Sequence, residues 1–407
     1  MHNYQYISMS SQYLAFLEEL SDVSWIAYDT EFISEGRYQP DLCLVQVATA
    51  KGLYLIDALR IEDLSEFWRL LCRDSVLPIA HSCRSELEFC FRSISRIPSR
   101  MFDVQLAAAF VGLGYPLNFK SLVQEVVNID IPKTETRSDW TRRPLLTSQL
   151  DYAIEDVIYL REIADVLGER LNKRKRQDWF EEEMRSYCQE MESSFSDGQW
   201  HKLVGKRNLS SNELAIVREL WRWRRQRAIT RNCTPNRILR DDVIIELARR
   251  GSWDPNRIAV VRSLNSTATS TLVQQLSECI KRAVSLDDAE KPHDEQHSSY
   301  PQYAMATQFL NVLMAQYCQH RGVAPKLCFT AEELRKAIAS HEGLLPENEI
   351  SRLNQGWRRE FIGDYLKKIL EGRYVMQFSN DLEHNPLRLV EHAMSSKTIE
   401  KESKPQS

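Results

Sequence analysis

The stretch that decides the fold is SWIAYDTEF at residues 24–32, where a largely apolar run ends in two acidic residues. Three more short apolar runs follow it: CLVQV at 43–47, LYLI at 53–56 and LPIA at 77–80. Such runs are typical of buried β-strands, and apolar residues at helical spacing occupy 63–72, between the last two. Alternating strands and helices predict an α/β domain with a central sheet over residues 1–175.

Helices are predicted to take over after the sheet. One covers 105–111, and a single long helix is predicted from about residue 147 to 171. From Ser210 onward the pattern predicts no strands and three helices: one that begins at Ser210, one that begins at Asp241, and one over 271–284. The expected domains are a helical connector at 176–209, an all-α domain at 210–284, a polar linker at 285–302, a second helical domain at 303–380 and a tail at 381–407. The second helical domain is interpreted as a diverged duplicate of the first, and the end of the tail is expected to be disordered.

Composition places the chain among ordinary globular proteins. It has 407 residues, 43% of them hydrophobic and 27% charged, which suits two or three domains. No apolar run approaches the roughly 18 residues of a membrane span, and the first residues do not form a signal peptide. Nine scattered cysteines without a C-x-x-C pair indicate reduced thiols rather than disulfides or zinc fingers. These features predict a soluble, cytoplasmic protein without a membrane partner.

Positive charge is concentrated in one segment. Residues 202–262 contain 15 Lys and Arg against 6 Asp and Glu, although the whole chain has a net charge of −4. A basic segment joined to an acidic remainder predicts a surface that binds a polyanion such as a nucleic acid. A solvated helical face is an equally good interpretation from charge alone.

Two pairs of polar residues are candidates for chemistry. Asp29 and Glu31 are two residues apart on a predicted strand, so their carboxylates project from the same face. Tyr152 and Asp156 are four residues apart on a predicted helix and share one face of it. Adjacent carboxylates at the end of an apolar strand repel each other unless a cation lies between them, which makes Asp29 and Glu31 candidate metal ligands.

Each of these residues also has an ordinary structural interpretation. A lone D-x-E is a common chance match and is more often a polar strand end. Asp156 could be an exposed helix charge, Tyr152 a core aromatic residue, and Glu86, on the helix after the fourth strand, a solvated acid.

Taken together, the residues resemble the DEDDy branch of the DEDD superfamily of 3′-5′ exonucleases, and within it the ribonuclease D family. The first motif is matched by DTEF at 29–32 and the third, Y-x-x-x-D, by YAIED at 152–156. FDVQ at 102–105 is similar to the family's F-D-T-Q segment, and SDWTRRPL at 138–145 to its S-D-W-x-x-R-P-L segment. The resemblance covers roughly residues 5–170 in the family's order and implies a ribonuclease H-like fold with a mixed central sheet.

The resemblance implies a site in which four carboxylates hold two divalent ions, Mg²⁺ or Mn²⁺. Asp29, Glu31, Glu86 and Asp156 would be the ligands, and Tyr152 would orient or help to deprotonate the attacking water. Hard cations prefer oxygen ligands, which suits this donor set. One position departs from the family, because Glu86 stands where the second motif has Asp. The extra methylene moves the carboxylate oxygens by about 1 Å, and such a displacement can cost about 10²-fold in rate.

The basic segment resembles the helicase-and-ribonuclease-D C-terminal (HRDC) domain. LWRWRRQR at 220–227 and the region from Pro235 to Asp242 carry this resemblance, and residues 303–380 look like a second, weaker copy. Trp221 and Trp223 are predicted to be core residues, with stacking on bases as the alternative. The residues predicted to contact the RNA backbone are Lys206, Arg207, Arg222, Arg225 and Arg231.

The sequence therefore predicts a metal-dependent 3′-5′ exoribonuclease that releases nucleoside 5′-monophosphates. Its expected partners are single-stranded 3′ ends of structured RNA such as tRNA precursors, with no obligate protein partner. Two alternatives remain open. The chain could be an RNA-binding relic that Glu86 has inactivated, or a DNA-directed exonuclease of the same superfamily.

Overall fold

Six short strands form one mixed sheet in the part of the chain that precedes residue 104. The computed structural model describes residues 2–131, 138–196, 200–204, 209–261, 264, 269–292, 300–345, 352–378 and 387–391. The strands are β1 Gln5–Ile7, β2 Trp25–Ile33, β3 Asp41–Ala48, β4 Leu53–Asp57, β5 Leu77–Ala80 and β6 Phe102–Asp103. Their order is β1-β4-β3-β2-β5-β6, and β3 alone is antiparallel to its neighbours. The predicted mixed α/β sheet is confirmed.

Helices cover both faces of this sheet, because successive side chains of a strand point to opposite faces and the central strands have apolar residues on both. On one face, Tyr28 of β2 contacts the rings of Phe67 and Trp68 at centroid distances of 6.2 and 6.3 Å. On the other face, Ile154 belongs to a buried cluster with Leu44 of β3. The helices in this part of the sequence that belong to the same compact unit as the sheet are α1 Ser10–Glu19, α2 Ser65–Leu71, α3 Arg84–Ile94 and α6 Thr147–Ile158. The chain also forms α4 Val104–Phe110, α5 Phe119–Val127 and α7 Leu160–Lys173.

The prediction of one long helix over 147–171 is wrong. The structure ends α6 at Ile158 and begins α7 at Leu160. Neither Gly nor Pro marks this break, and apolar residues continue at helical spacing across it, so the sequence carried no local signal for it.

A helical domain follows the connector helices α8 Gln177–Ser196 and α9 His201–Val204. Its helices are α10 Ser211–Arg231, α11 Pro235–Ile238, α12 Asp241–Arg250, α13 Pro255–Ala259 and α14 Ser270–Val284. The predicted helix start at Ser210 is confirmed, because Ser210 caps α10. The Glu213 carboxylate in turn accepts a hydrogen bond from the Ser210 N–H at 2.6 Å. Leu220, Ile244 and Ile280 lie in one buried core shared by these helices.

The last part of the chain is helical but ends in strands. Its helices are α15 Ala304–His320, α16 Pro325–Cys328, α17 Ala331–His341, α18 Gly356–Arg358 and α19 Asp364–Leu370, with a π-helical turn at Arg359–Gly363. β7 Tyr374–Phe378 and β8 Leu387–Glu391 then pair as an antiparallel hairpin. The expectation that no strand follows Ser210 is therefore wrong. Residues 392–407, most of the predicted tail, lie outside the described residues.

The chain divides into two compact units, and neither is one continuous segment. The first contains Met1–Asp103, Ile131–Arg161 and Arg185–Ser299, and the second contains Val104–Asp130, Glu162–Met184 and Tyr300–Ser407. All candidate catalytic residues belong to the first unit. In the second, a buried ion pair joins Arg358 to Glu183 at 2.5 Å. No helix among the described residues is long and apolar enough to cross a bilayer.

Candidate active site

Asp29 and Glu31 lie on β2, in the middle of the sheet. Asp29 is opposite Gln46 of β3 and Glu31 is opposite Leu44, so both carboxylates point to the face that α6 covers. The register shifts directly after Glu31, which marks a β-bulge. Bulges bend a strand and redirect its side chains, and they are frequent beside active sites. Asp29 and Glu31 are both half-buried, so solvent reaches part of each residue.

Glu86 reaches β2 from α3, past the end of β5. Because β5 pairs with β2 only as far as Ala27, the edge of β2 beyond that residue is open on this side. The Glu86 side chain enters there, is 4% exposed, and accepts a hydrogen bond at 2.7 Å from the Thr30 hydroxyl. Burial raises the pKa of Glu86, and an interaction with the Asp29 carboxyl group is among the smaller effects that oppose this rise. Glu86 therefore points towards the other carboxylates.

The turn that carries Glu86 is fixed by another buried acid. The carboxylate of Asp103, at the end of β6, accepts the backbone N–H groups of Ser82 at 3.3 Å and Cys83 at 2.9 Å. These residues connect β5 to α3, and Ser82 has a left-handed φ of 59°. Asp103 thus stabilises an unfavourable backbone conformation and sets where α3 begins.

Tyr152 and Asp156 are one turn apart on α6, and burial raises the pKa of Asp156 while the neighbouring Tyr152 phenol opposes this rise. The Tyr152 ring packs on Trp140 at a centroid distance of 6.2 Å. The first turn of α6 is secured by Gln149, whose side chain accepts the Leu146 N–H at 3.0 Å and donates to the Asp139 carbonyl at 3.3 Å. The SDWTRRPL segment therefore positions the helix that carries Tyr152 and Asp156.

That segment is anchored to the sheet by Arg143. Its guanidinium binds the buried carboxylate of Asp57 at the end of β4 with two bonds of 2.6 Å. It also donates to the carbonyls of Trp140 at 2.8 Å and Cys43 at 3.0 Å. Asp57 accepts a further bond of 2.7 Å from the Tyr6 hydroxyl. This bidentate pair ties the loop before α6 to β3 and β4.

Burial and neighbouring negative charges raise the pKa of all four carboxyl groups of the site. Burial is the largest cause at every position, and the other three carboxylates add to it at Asp29, whose pKa is raised well above its usual value. Burial and the charges of Asp156 and Glu86 raise the pKa of Glu31 to about 8. Burial raises the pKa of Glu86 to about 7 and that of Asp156 to about 7, although the Thr30 hydroxyl and the Tyr152 phenol oppose the shift. These four acids are therefore electrostatic neighbours.

The donor set fits a hard divalent cation. Four carboxylates supply the oxygen ligands that Mg²⁺ and Mn²⁺ prefer. Among the residues that the structure describes, no Lys, Arg or His is one of the main groups that shift their pKa values. Within the described residues, Oδ2 of Asp156 is buried without a hydrogen-bond partner. In that same part of the chain, no three His, Cys, Asp or Glu side chains are already arranged to hold an ion. The site thus has the chemistry for a metal, and ion binding would require adjustment of carboxylate rotamers.

These raised pKa values predict how the stability of the metal-free protein depends on pH. Carboxyl groups of an unfolded chain titrate near 4, whereas Glu31, Glu86 and Asp156 keep their protons up to about pH 7 or 8. The folded state binds more protons in this range, so the free energy of unfolding falls as the pH rises. We expect the unfolding temperature in the presence of EDTA to fall between pH 6 and pH 9.

Added Mg²⁺ or Mn²⁺ serves as the control, because metal binding competes with protons and favours the ionised form. Either ion should raise the unfolding temperature more at pH 8 than at pH 6. A metal-free protein whose unfolding temperature rises steadily from pH 6 to pH 9 would contradict the assignment of these pKa shifts.

Three of the predicted RNA contacts, Arg222, Arg225 and Arg231, lie on α10. Arg222 forms a pair with Glu219 at 3.1 Å, and Arg225 donates to the Tyr38 hydroxyl at 3.1 Å. Arg231 is exposed. Lys206 and Arg207 lie outside the described residues. Trp221 and Trp223 pack in part against the domain core, in agreement with their structural interpretation.

Sequence reasoning missed three residues of the site. Thr30 and Asp103 hold Glu86 and its turn, and neither role could be assigned before the chain was folded. Gln46, opposite Asp29, is fully buried, and within the described residues its amide group has no hydrogen-bond partner. Gln46 could have been recognised from the sequence, because it is the one polar residue in the apolar run CLVQV.

Comparisons with known proteins define the class first. A family model described as a 3′-5′ exonuclease matches residues 4–172, and one described as an HRDC domain matches residues 213–280. The sheet with its carboxylate cluster and the helical domain are therefore those of a 3′-5′ exonuclease that carries an HRDC domain.

Full-length relatives then give the family. Ribonuclease D of Nitrobacter hamburgensis is 30% identical over 372 residues, which cover 91% of this chain and 96% of the relative. Ribonuclease D of Pseudomonas paraeruginosa is 32% identical over 351 residues, 85% of this chain and 92% of the relative. The chain belongs to the ribonuclease D family and is a hydrolytic 3′-5′ exoribonuclease. These relatives favour neither the RNA-binding relic nor the DNA-directed enzyme.

Solved structures agree on the fold. The crystal structure of Escherichia coli RNase D, described as an exoribonuclease involved in structured RNA processing, matches with a TM-score of 0.73 at 24% identity and covers 91% of this chain and 99% of its own. A protein from Bifidobacterium adolescentis matches with a TM-score of 0.59 at 20% identity over 90% of this chain and 97% of its own.

Proposed function

We propose that this exoribonuclease uses two divalent metal ions to remove nucleoside 5′-monophosphates from RNA 3′ ends. The observation that carries the proposal is the grouping of four carboxylates in which the charges of Glu86 and Asp156 raise the pKa of both Asp29 and Glu31. Asp29, Glu31, Glu86 and Asp156 would hold the ions, Mg²⁺ or Mn²⁺. When bound, such ions lower the pKa of a water molecule and neutralise charge on the transferred phosphoryl group.

The chain's own residues supply positioning. Thr30 keeps the Glu86 carboxylate directed at Asp29 through its 2.7 Å hydrogen bond. Burial and neighbouring acids raise the pKa of the Tyr152 phenol, so it stays protonated at neutral pH. A protonated phenol beside Asp156 is suited to orient a water molecule through its oxygen, which favours orientation over deprotonation as its role.

The proposed substrates are single-stranded 3′ ends of structured RNA, such as tRNA precursors. The RNase D relatives support RNA as the substrate, and the Escherichia coli enzyme is involved in structured RNA processing. The basic segment around α10 suits the RNA backbone, through Arg222, Arg225 and Arg231 and the undescribed Lys206 and Arg207. Activity without an obligate protein partner and a cytoplasmic location stay predictions.

Residues 303–380 are proposed to contain a second, diverged HRDC-like domain. In both helical regions a long helix is followed by a one-turn helix that starts at proline, Pro235 or Pro325, and then by a helix of 10 or 11 residues. A residue with positive φ precedes each proline by three positions: Asn232 at 41° and Gly322 at 62°. This shared order and turn geometry support duplication.

Metal-dependent shortening of RNA tests the proposed function. We expect the purified protein to shorten a 5′-labelled single-stranded RNA from its 3′ end with Mg²⁺ or Mn²⁺ and not with EDTA. Glu86→Asp should lower kcat by roughly 10–100-fold, because the shorter side chain gives up the Thr30 hydrogen bond and moves the carboxylate by about 1 Å.

Glu62→Asp is the matched control, since Glu62 is exposed and outside the site. A wild-type protein that binds RNA without shortening it, combined with activity gained in Glu86→Asp, would instead favour the relic. Equal degradation of single-stranded DNA would contradict RNA as the preferred substrate.

A further inference from the structure

A cavity of about 700 Å³ lies within the first unit, on the outward face of α3. Its walls come from α3, from the loop between β2 and β3, and from α10 with the starts of α11 and α12. This cavity, here called the α3 cleft, has a volume within the range of small-molecule sites. Its lining includes Tyr38, Arg84, Glu88, Arg92, Trp221 and Arg225.

The α3 cleft is separate from the carboxylate site. At 100° per residue, Arg84, Glu88 and Arg92 share one side of α3, and Glu86 points from the opposite side into the site. A ligand in the cleft is therefore divided from Asp29 by a helix about 10 Å across. The cleft cannot be the subsite for the nucleotide that is being removed.

The cleft has a net positive charge. Four arginines and two acidic residues line it, but Arg224 and Asp241 pair with each other at 2.5 Å. Arg92 donates to the Pro40 carbonyl at 3.0 Å and to the side-chain oxygen of Gln39 at 3.3 Å, both neutral acceptors. Within the described residues it forms no ion pair; burial lowers its pKa, and the charge of Glu88, one turn earlier on α3, opposes that shift. Arg92 is exposed, and these two hydrogen-bond acceptors of its guanidinium are neutral, so its charge is available to an anionic ligand.

Aromatic surface lies beside these cations. Trp221 packs in part on the core of the HRDC domain and also lines the cleft. The guanidinium of Arg225 lies 5.4 Å from the Trp221 ring centroid and donates to the Tyr38 hydroxyl at 3.1 Å. Flat rings and guanidinium groups stack on any nucleic-acid base, and arginines bind the adjoining phosphates.

We propose that the α3 cleft binds a nucleotide of the RNA body, upstream of the 3′ end that occupies the carboxylate site. This inference rests on the proposed function and adds a second contact to it. The guanidinium groups of Arg84 and Arg92 hold a phosphate, and a base stacks on the aromatic wall. A strand must pass around α3 to reach the cleft, so only longer RNA makes this contact.

Arg92→Gln tests the cleft because it removes the guanidinium and keeps a polar side chain. The expected result is a KM that rises roughly tenfold for a single strand of about 20 nucleotides relative to the KM for a trinucleotide. In an Asp29→Asn background, which leaves the RNA intact, the Kd of the long RNA should rise by a similar factor in fluorescence anisotropy. The control Arg249→Gln removes the same charge from an exposed position on α12. Its KM and Kd should equal those of the protein that keeps Arg249.

An unchanged Kd for the long RNA, or an equal rise of KM for both lengths, would overturn the proposal. So would binding of adenosine monophosphate that Arg92→Gln abolishes while RNA affinity stays the same, because the cleft would then take free nucleotides. If neither RNA is hydrolysed, the proposed function fails, and the anisotropy measurement still decides the cleft.

Discussion

Asp29→Asn is expected to lower RNA hydrolysis by about 10³-fold or more and, at the same time, to make the metal-free protein more stable. Asp29 is the acid whose pKa is raised by all three of its carboxylate neighbours. An amide in its place removes a negative charge that would hold the metal ions, and those ions would neutralise the charge of the transition state, which accounts for the loss of rate. The same change removes repulsion in a partly buried cluster, so the metal-free unfolding temperature should rise by about 2–5 °C.

The two effects have to be measured on the same preparation. Thermal unfolding with EDTA should show a higher unfolding temperature, and RNA shortening with Mg²⁺ or Mn²⁺ should show a lower rate. A functional cluster predicts this combination. Asp22→Asn is the control, because Asp22 is exposed and forms only a surface ion pair with Lys51. If Asp29→Asn lost stability and kept its rate, Asp29 would be a structural acid, and the carboxylate cluster would not be the centre of catalysis.

The central sheet was predictable because each of its longer strands carries its own signal. β2, β3, β4 and β5 are short apolar runs of the kind that buried strands require. β1 has three residues and β6 has two, which is too short for a periodic pattern. The hairpin of β7 and β8 was missed because its pairing joins segments separated by eight residues, and the preceding helical pattern dominated the interpretation.

The candidate site was predictable only where a residue's chemistry is visible in its type. Asp29, Glu31, Tyr152 and Asp156 stand at spacings that put them on common faces, and the structure brings them together with Glu86. The roles of Thr30 and Asp103 depend on hydrogen bonds that span 56 and about 20 residues of sequence. No local pattern contains that information, because it arises only when β2, β6 and α3 have packed.

Arg143→Ala is expected to destabilise the protein by about 3–5 kcal/mol, since it leaves the buried carboxylate of Asp57 without its counter-charge. Burial alone would raise the pKa of Asp57, but hydrogen bonds from Arg143 and Tyr6 hold it below its usual value. Those bonds stabilise the protein above about pH 4, and this contribution is lost as the pH falls through the lowered pKa. The destabilisation should therefore be larger at pH 7 than at pH 4 in thermal unfolding.

Arg143 also positions α6, so its removal should lower kcat by roughly 10²-fold even where the protein remains folded. Its guanidinium fixes the Trp140 carbonyl, and the Trp140 ring packs on Tyr152. Arg142→Ala is the matched control, because this neighbour is exposed. Adding Asp57→Asn to Arg143→Ala removes the uncompensated charge and should recover much of the stability without recovering the rate. Recovery of both would mean that Arg143 acts only through the stability of the fold, and recovery of neither would contradict the Asp57 pair as the source of the effect.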